Sequence, residues 1–331
     1  MAVSSMKTSP AFWVTGPGQG RIEPAPLNAV PEADSDAPWV EVETLYSGIS
    51  RGTESLVFQG RVPESEHQRM RSPFQQGEFP FPVSYGYINV GRVVAGEPSL
   101  LGKTVFSLFR HQRRFRVPAG AVTPLPDGLP PERGVLAANM ETAINGLWDG
   151  QPAVGDRIAV VGCGVVGCLV AWLASRIPGT RVTAIDTNPR RRAVLETLGV
   201  TFAEHCDDDD HDLVFHTSGH GAGLSTALAL AGQEGRIVEM SWYGATPVTA
   251  PLGEAFHARR LQLVSSQVGH LPAGRTPRWD YRKRMALALE LLQDDSLDQL
   301  ITGESAFETL PEVMATLATA TDIICHRIVY Q

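Results

Sequence analysis

Three glycines and an aspartate carry the strongest chemical signal in this sequence. From Arg157 to Asp186 it reads RIAVVGCGVVGCLVAWLASRIPGTRVTAID. An apolar β-branched run, Ile158 to Val161, meets Gly162, Gly164 and Gly167, with Val165 and Val166 between the last two, and an apolar segment of helical length follows. Strand, tight turn and helix in that order form a phosphate cradle: one glycine permits the turn, one lets backbone approach a pyrophosphate, one lets the helix pack on the strand. The phosphates then sit on unpaired N–H groups at the helix N-terminus. A second strand, Arg181 to Ile185, ends at Asp186, about twenty residues past the last glycine, where a carboxylate binds an adenosine ribose diol. A carboxylate there disfavours a 2′-phosphate and points to NAD. Arg191, within the run Arg190 to Arg192 and just past Thr187, leaves NADP open.

Other polar residues fall where chemistry can use them. Later strands close on Thr217-Ser218-Gly219 and on Ser241-Trp242, loops at the C-terminal ends of parallel strands, where nucleotides bind. Nearer the N-terminus, Ser47 to Glu54 (SGISRGTE) is a glycine-punctuated turn entering a short helix. Four arginines in Phe109 to Arg116 read as an amphipathic strand with its arginines in water, an anionic-substrate site being the alternative. Within that run His111 can donate, accept or shuttle a proton near neutral pH. His205 to Asp212 reads as a solvated acidic loop, with a metal site as the alternative.

The elements that position these residues follow two grammars. Ala11 to Val14 and Trp39 to Tyr46 are short strands separated by a Pro/Ala/Asp-rich loop. More strands run from Pro82 to Pro126, and Arg61 to Glu78 is a surface loop or a lid over substrate. From Pro131 helices and strands alternate, as in a parallel sheet; the tail from Cys325 alternates as a strand and rejoins the β grammar. The 331 residues suffice for two domains, and 43% hydrophobic and 19% charged residues are ordinary for a soluble globular chain. A net charge of −8 argues against non-specific nucleic-acid binding. Four scattered cysteines form no disulfide framework and suit a reducing cytoplasm. The polar N-terminus shows no signal core, and the uncharged run from Ile158 to Ala174 is short for a membrane span, so no membrane role is expected.

This order of elements resembles the medium-chain dehydrogenase/reductase superfamily over nearly the whole chain. The resemblance implies an α/β chain with a GroES-like β domain (1–138 and 276–331), a Rossmann doubly wound parallel sheet (139–275), an active site in the cleft between them and a homodimer. Ser47 to Glu54 is similar to the zinc alcohol dehydrogenase motif C-G-I-C-G-[ST]-D, with Ser50 at its metal-binding cysteine and Glu54 at its aspartate. The second zinc motif, G-H-E, falls on Gly86-Tyr87-Ile88. Neither Tyr87 nor Ile88 is a plausible zinc ligand, and catalytic zinc needs three protein ligands. A zinc-independent member is therefore expected, similar to the branch that includes bacteriochlorophyllide 2-hydroxyethyl dehydrogenases.

Hydride transfer without a Lewis acid needs hydrogen-bond donors on the substrate oxygen and a titratable group to move its proton. Ser50 and Tyr87 take the donor role, Thr142 resembles the superfamily threonine near the nicotinamide, and Glu54, Glu141 and His111 are proton-relay candidates. The expected function is an NAD(H)-dependent, zinc-independent interconversion of a secondary alcohol and a carbonyl on a small-molecule substrate. An NADPH-dependent quinone or enone reductase and a non-catalytic dinucleotide sensor stand as alternatives.

Overall fold

A computed structural model describes residues 7–27, 37–317 and 320–331. The proline-rich loop expected after Val14 lies partly outside them. Strands in the N-terminal part are β1 (Thr8–Gly16), β2 (Gln19–Pro26), β3 (Trp39–Ile49), β4 (Gln76–Gly77), β5 (Val83–Ser84), β6 (Asn89–Gly96), β7 (Thr104–Ser107), β8 (Arg114–Pro118) and β9 (Val122–Pro124), with helix α1 (Arg51–Phe58) after β3. Helix α2 (Ala137–Gly150) leads to β10 (Arg157–Val161), α3 (Val165–Ala174), β11 (Arg181–Ile185), α4 (Arg191–Thr197), β12 (Thr201–Ala203), β13 (His211–His216), α5 (Gly221–Leu230), β14 (Ala231–Glu239) and β15 (Gln262–Ser265). The chain ends with α6 (Tyr281–Leu291), β16 (Ile301–Ala306), α7 (Leu310–Leu317) and β17 (Cys325–Val329).

Two compact units result. The first comprises Met1–Ala138, Leu289–Gln293 and Ile301–Gln331; the second comprises Asn139–Ala288 and Asp294–Leu300. The sequence reading returns the chain to the β domain at 276, whereas the structure keeps α6 with the second unit through Ala288. Arg284 gives the reason: its buried guanidinium donates to Glu141 Oε1 (3.0 Å), to Asn145 Oδ1 and to the Val268 carbonyl (2.6 Å), all within the second unit. Breaking such a pair leaves a buried charge uncompensated, at a cost of about 3–5 kcal/mol.

In the first unit, antiparallel β strands form a sheet in the order β16-β17-β3-β6-β7-β9, with β8 also paired to β3 and β16 running parallel to β17, and a smaller sheet in the order β2-β1-β5-β4. Strand β2 occupies part of what the sequence reads as loop. Gly18, at φ +68°, makes the turn from β1, and β2 is an edge strand, which tolerates Pro24 and Pro26 because proline cannot donate to a second neighbour. The arginine-rich run departs from its sequence reading at one position. Arg110 is fully buried, over the Phe109 ring, with its pKa lowered to about 9 by burial, while Arg114 and Arg116 pair with Glu41. The segment after Arg61 is held down by ring contacts from His67 to Phe79 and from Phe79 to Tyr85.

The second unit is a wholly parallel sheet in the order β12-β11-β10-β13-β14-β15, with the order reversing between β10 and β13. Ile158, Ala159 and Val160 are all fully buried, so β10 reads as a continuous apolar run instead of an alternating one. Among the described residues no helix is long and apolar enough to cross a membrane; the uncharged run 158–174 is β10, its turn and α3. Helix α3 lies so close to β10 that a Cβ on Gly167 would collide with the Gly162 carbonyl and come within 2.6 Å of Thr217 Oγ1. Gly167→Ala is expected to cost about 1–3 kcal/mol or more in a denaturation series; an unchanged midpoint would contradict this close packing.

Candidate active site

The chemistry-bearing residues of the first unit gather around the end of β3. Ser50 is the N-cap residue of α1, and the side chain of Glu54 in the first turn folds back so that Oε1 accepts the Ser50 N–H (2.8 Å). The Glu54 N–H in turn donates to the Ser50 carbonyl (2.8 Å), which fixes the start of the helix. Tyr87, between β5 and β6, donates its hydroxyl to Ser50 Oγ at 2.6 Å. His111 arrives from the loop between β7 and β8. Gly86, at φ +129°, leaves room for it, since a Cβ there would stand 3.1 Å from the imidazole.

Glu54 Oε2 lies 2.9 Å from His111 Nε2, and both side chains are sealed from water, at 4% and 1% exposure. His111 Nδ1 reaches Ser47 Oγ (2.7 Å), and Ser47 Oγ reaches the Tyr330 hydroxyl (2.9 Å). Four predicted residues, Ser50, Glu54, Tyr87 and His111, are thus brought into one cluster. Ser47 and Tyr330 extend it and were missed: Ser47 is an ordinary strand serine by type, and Tyr330 meets it across 283 residues of sequence. Burial and then the Glu54 charge push the Tyr87 phenol up to about 12, against the hydrogen bonds of Ser50 and Thr53. Tyr330 is likewise shifted up by burial.

Two further candidates sit in the second unit. Glu141 was expected in a proton relay; its carboxylate is instead occupied by Arg284, a structural ion pair. Burial raises its pKa and the neighbouring guanidinium opposes the rise. Thr142 is half-buried on α2.

The predicted dinucleotide residues converge on the crevice at the C-terminal ends of the parallel strands. Gly162 has φ +101°, and a Cβ on it would stand 2.6 Å from the backbone of Ser218. Gly164, the N-cap of α3, has open space where its Cβ would be, and Val165 and Val166 follow half-buried in the first turn. Gly162 thus makes the turn, Gly167 lets α3 pack on β10, and Gly164 leaves open space above its backbone. Asp186 is fixed at the end of β11: Oδ2 accepts the Cys163 N–H (2.7 Å) and Oδ1 the Asn188 N–H (2.8 Å). Thr187 is exposed beside it, while Arg191 is buried at the start of α4. Arg192 packs over the Phe202 ring and faces Glu196 and Glu204.

Thr217 Oγ1 donates to the Gly162 carbonyl (2.6 Å), Gly219 N–H donates to Ser241 Oγ (3.1 Å), and Trp242 is half-buried beside that serine. Behind these loops lie His216, Glu239 and Tyr243, which the residue types alone did not single out. His216 and Glu239 end adjacent parallel strands and are register partners, a pairing that only the strand alignment reveals. Burial alone would raise the Glu239 pKa, but the bond and charge of His216 and the Ser241 N–H outweigh it, and the net shift is downward.

Metal-ligand chemistry fits the first-unit cluster poorly. Glu54 and His111 are its only ligand-type groups, and they are bonded to each other; Ile88 is apolar and fully buried. Among the described residues no three His, Cys, Asp or Glu side chains are gathered as a metal site would need, and the acidic loop is tied to Arg157 and Arg259 instead.

No family profile matches the chain. An L-threonine 3-dehydrogenase of Bacillus velezensis is 28% identical over 150 residues, 41% of this chain and 43% of that protein, so the chain spans less than half the length of that relative. A D-guloside 3-dehydrogenase of Escherichia coli K12 is 25% identical over 305 residues, 82% of this chain and 87% of that one. A 2-desacetyl-2-hydroxyethyl bacteriochlorophyllide A dehydrogenase of Rhodobacter capsulatus is 29% identical over 231 residues, 65% and 68%. Among solved structures, a short chain alcohol dehydrogenase of Escherichia coli CFT073 complexed with NADH matches with a TM-score of 0.75 at 16% identity, over 97% of this chain and 99% of that one. A putative zinc-binding dehydrogenase of Sinorhizobium meliloti 1021 bound to NADP matches with a TM-score of 0.76 at 17% identity, over 98% and 99%. In sequence and in fold the chain is similar to the medium-chain, zinc-type alcohol dehydrogenase-like superfamily.

Gly164→Ala should leave stability within about 1 kcal/mol, because the site is open and its φ is −71°, while weakening dinucleotide binding. Titration of tryptophan fluorescence with NADH checks this, and wild-type affinity in the variant would contradict the assigned role of Gly164.

Proposed function

We propose that this protein is an NAD(H)-dependent oxidoreductase that interconverts a secondary alcohol and a carbonyl without catalytic zinc. The observation that carries the reading is the 2.6 Å hydrogen bond between Tyr87 and Ser50, which stand where the resembled motifs hold metal ligands, backed by the buried Glu54–His111 pair. A phenol shifted up to about 12 is protonated throughout the physiological range. It gives its hydrogen to Ser50 Oγ, and Ser50 can in turn pass its own hydroxyl proton to a substrate oxygen that gains negative charge. Glu54 keeps Tyr87 protonated through its charge, and His111 links Glu54 to Ser47 and Tyr330 in a buried hydrogen-bonded chain.

The residues of the second unit suit a dinucleotide: open space at Gly164 for a pyrophosphate and a fixed carboxylate at Asp186 for a ribose diol. When bound, the nicotinamide supplies or takes the hydride. A carboxylate at 186 supports NAD over NADP, because a 2′-phosphate there would meet like charge. The relatives are named as dehydrogenases acting on several different alcohols, and the substrate class proposed here is secondary alcohols and their ketones.

Tyr87→Phe removes the proton donor but little volume. It is expected to lower kcat for carbonyl reduction by about 10²-fold or more, the usual contribution of a positioned acid, with little change in melting temperature. In the wild type the reduction rate should show no loss from Tyr87 ionisation until pH approaches about 12, where the phenol loses its proton. Steady-state kinetics across pH check both expectations. Unchanged turnover in the variant would overturn the role of Tyr87, and a preference for NADPH on activated C=C bonds would replace the reading with an enone reductase.

A further inference from the structure

The cluster behind the 217–219 and 241–243 loops does more than brace them. Glu239 accepts from three directions: Oε1 takes the Ser241 N–H (2.7 Å), and Oε2 takes the Tyr243 hydroxyl (2.9 Å) and His216 Nδ1–H (2.8 Å). A carboxylate facing Nδ1 at that distance puts the imidazole proton on Nδ1. In the neutral ring Nε2 is then an acceptor, and it lies 2.6 Å from Ser218 Oγ. When the ring is neutral the Ser218 hydroxyl donates to Nε2; its 3.5 Å approach to the His220 carbonyl is too long to compete. With its hydrogen committed, Ser218 Oγ accepts the His220 N–H (3.2 Å) and keeps one lone pair.

Helix α5 is cut back to allow this arrangement. A Cβ on Gly223, in its first turn, would stand 2.7 Å from His216 Nε2 and collide with Ser218 Oγ. His216 is itself fully buried, while Ser218 is partly exposed beside Gly162. Doubly wound sheets of this order bind a dinucleotide as two mononucleotide halves. Asp186 belongs to the first half, and Ser218, at the end of β13, opens the second.

We propose that His216, in its neutral form, is a positioning residue that sets Ser218 as a pure hydrogen-bond acceptor in the second nucleotide subsite, where it selects a ribose hydroxyl. The inference rests on the dinucleotide reading above. An acceptor-only oxygen favours a donor such as a sugar hydroxyl and disfavours a phosphate oxygen, which brings no hydrogen. His216→Asn retains an amide able to reach Glu239 but leaves nothing at Nε2, and Ser218→Ala removes the oxygen itself.

The test is a titration of NADH and, separately, of 5′-AMP into the full-length wild type, the two single variants and the double variant, with melting temperatures recorded. Each single variant should lose about tenfold in NADH affinity, equivalent to about 1.4 kcal/mol, and none in 5′-AMP affinity. The double variant should lose no more than either single one, because the two residues act as a unit. Parallel loss of 5′-AMP binding, additive losses, or wild-type NADH affinity in Ser218→Ala would each overturn the proposal. A wild-type protein that binds neither ligand would overturn the dinucleotide reading itself, and this inference with it.

Discussion

The Glu54 carboxylate is removed from water, and the organisation of the first unit follows from keeping it satisfied. A buried ion is tolerated only when its lone pairs are used and its charge is matched. Here one oxygen takes the N–H of Ser50 at the start of α1 and the other faces the imidazole of His111. The second imidazole nitrogen leads to Ser47 on β3 and from there to Tyr330, at the end of the chain. A helix start, a loop between two strands, a central strand and the C-terminus are thereby tied to one charge. That charge also acts on Tyr87, whose phenol it helps to keep protonated.

A different constraint governs the second unit, namely the close approach of three backbone segments. Gly162 lies against the Ser218 backbone, and Gly167 lies against the Gly162 carbonyl and the Thr217 hydroxyl. A Cβ on Gly164 would meet nothing, while the loop ends are pinned by hydrogen bonds: Asp186 by two backbone N–H groups, and Ser218 and Ser241 by the His216–Glu239 pair. Rigid supports of this kind hold a ligand without reorganisation on binding.

Much of this was legible in the sequence because some signals are local. The glycine spacing and the aspartate at the end of the next strand describe one βαβ unit, and the structure contains it. The turn from Ser47 to Glu54 likewise contained three members of the cluster, Ser47, Ser50 and Glu54. Long-range pairings were not legible. Nothing in the residue type of Glu141 distinguishes a proton relay from an ion pair; that depends on Arg284, 143 positions away. Arg110 was expected in water, yet the aromatic ring of Phe109 and two neutral acceptors accommodate it inside. Strand β2 was hidden by prolines that only an edge position allows. Register escaped as well, since His216 and Glu239 are recognisable as partners only once β13 and β14 are aligned.

The central claim is that protein hydrogen-bond donors take the place of a Lewis acid. The most direct test measures zinc content by mass spectrometry on protein purified without chelator, alongside NADH-dependent turnover of a ketone panel before and after dialysis against a strong chelator. The account predicts substoichiometric zinc and turnover that survives dialysis. Zinc at one equivalent per chain, with activity lost on chelation and restored by zinc alone, would contradict it.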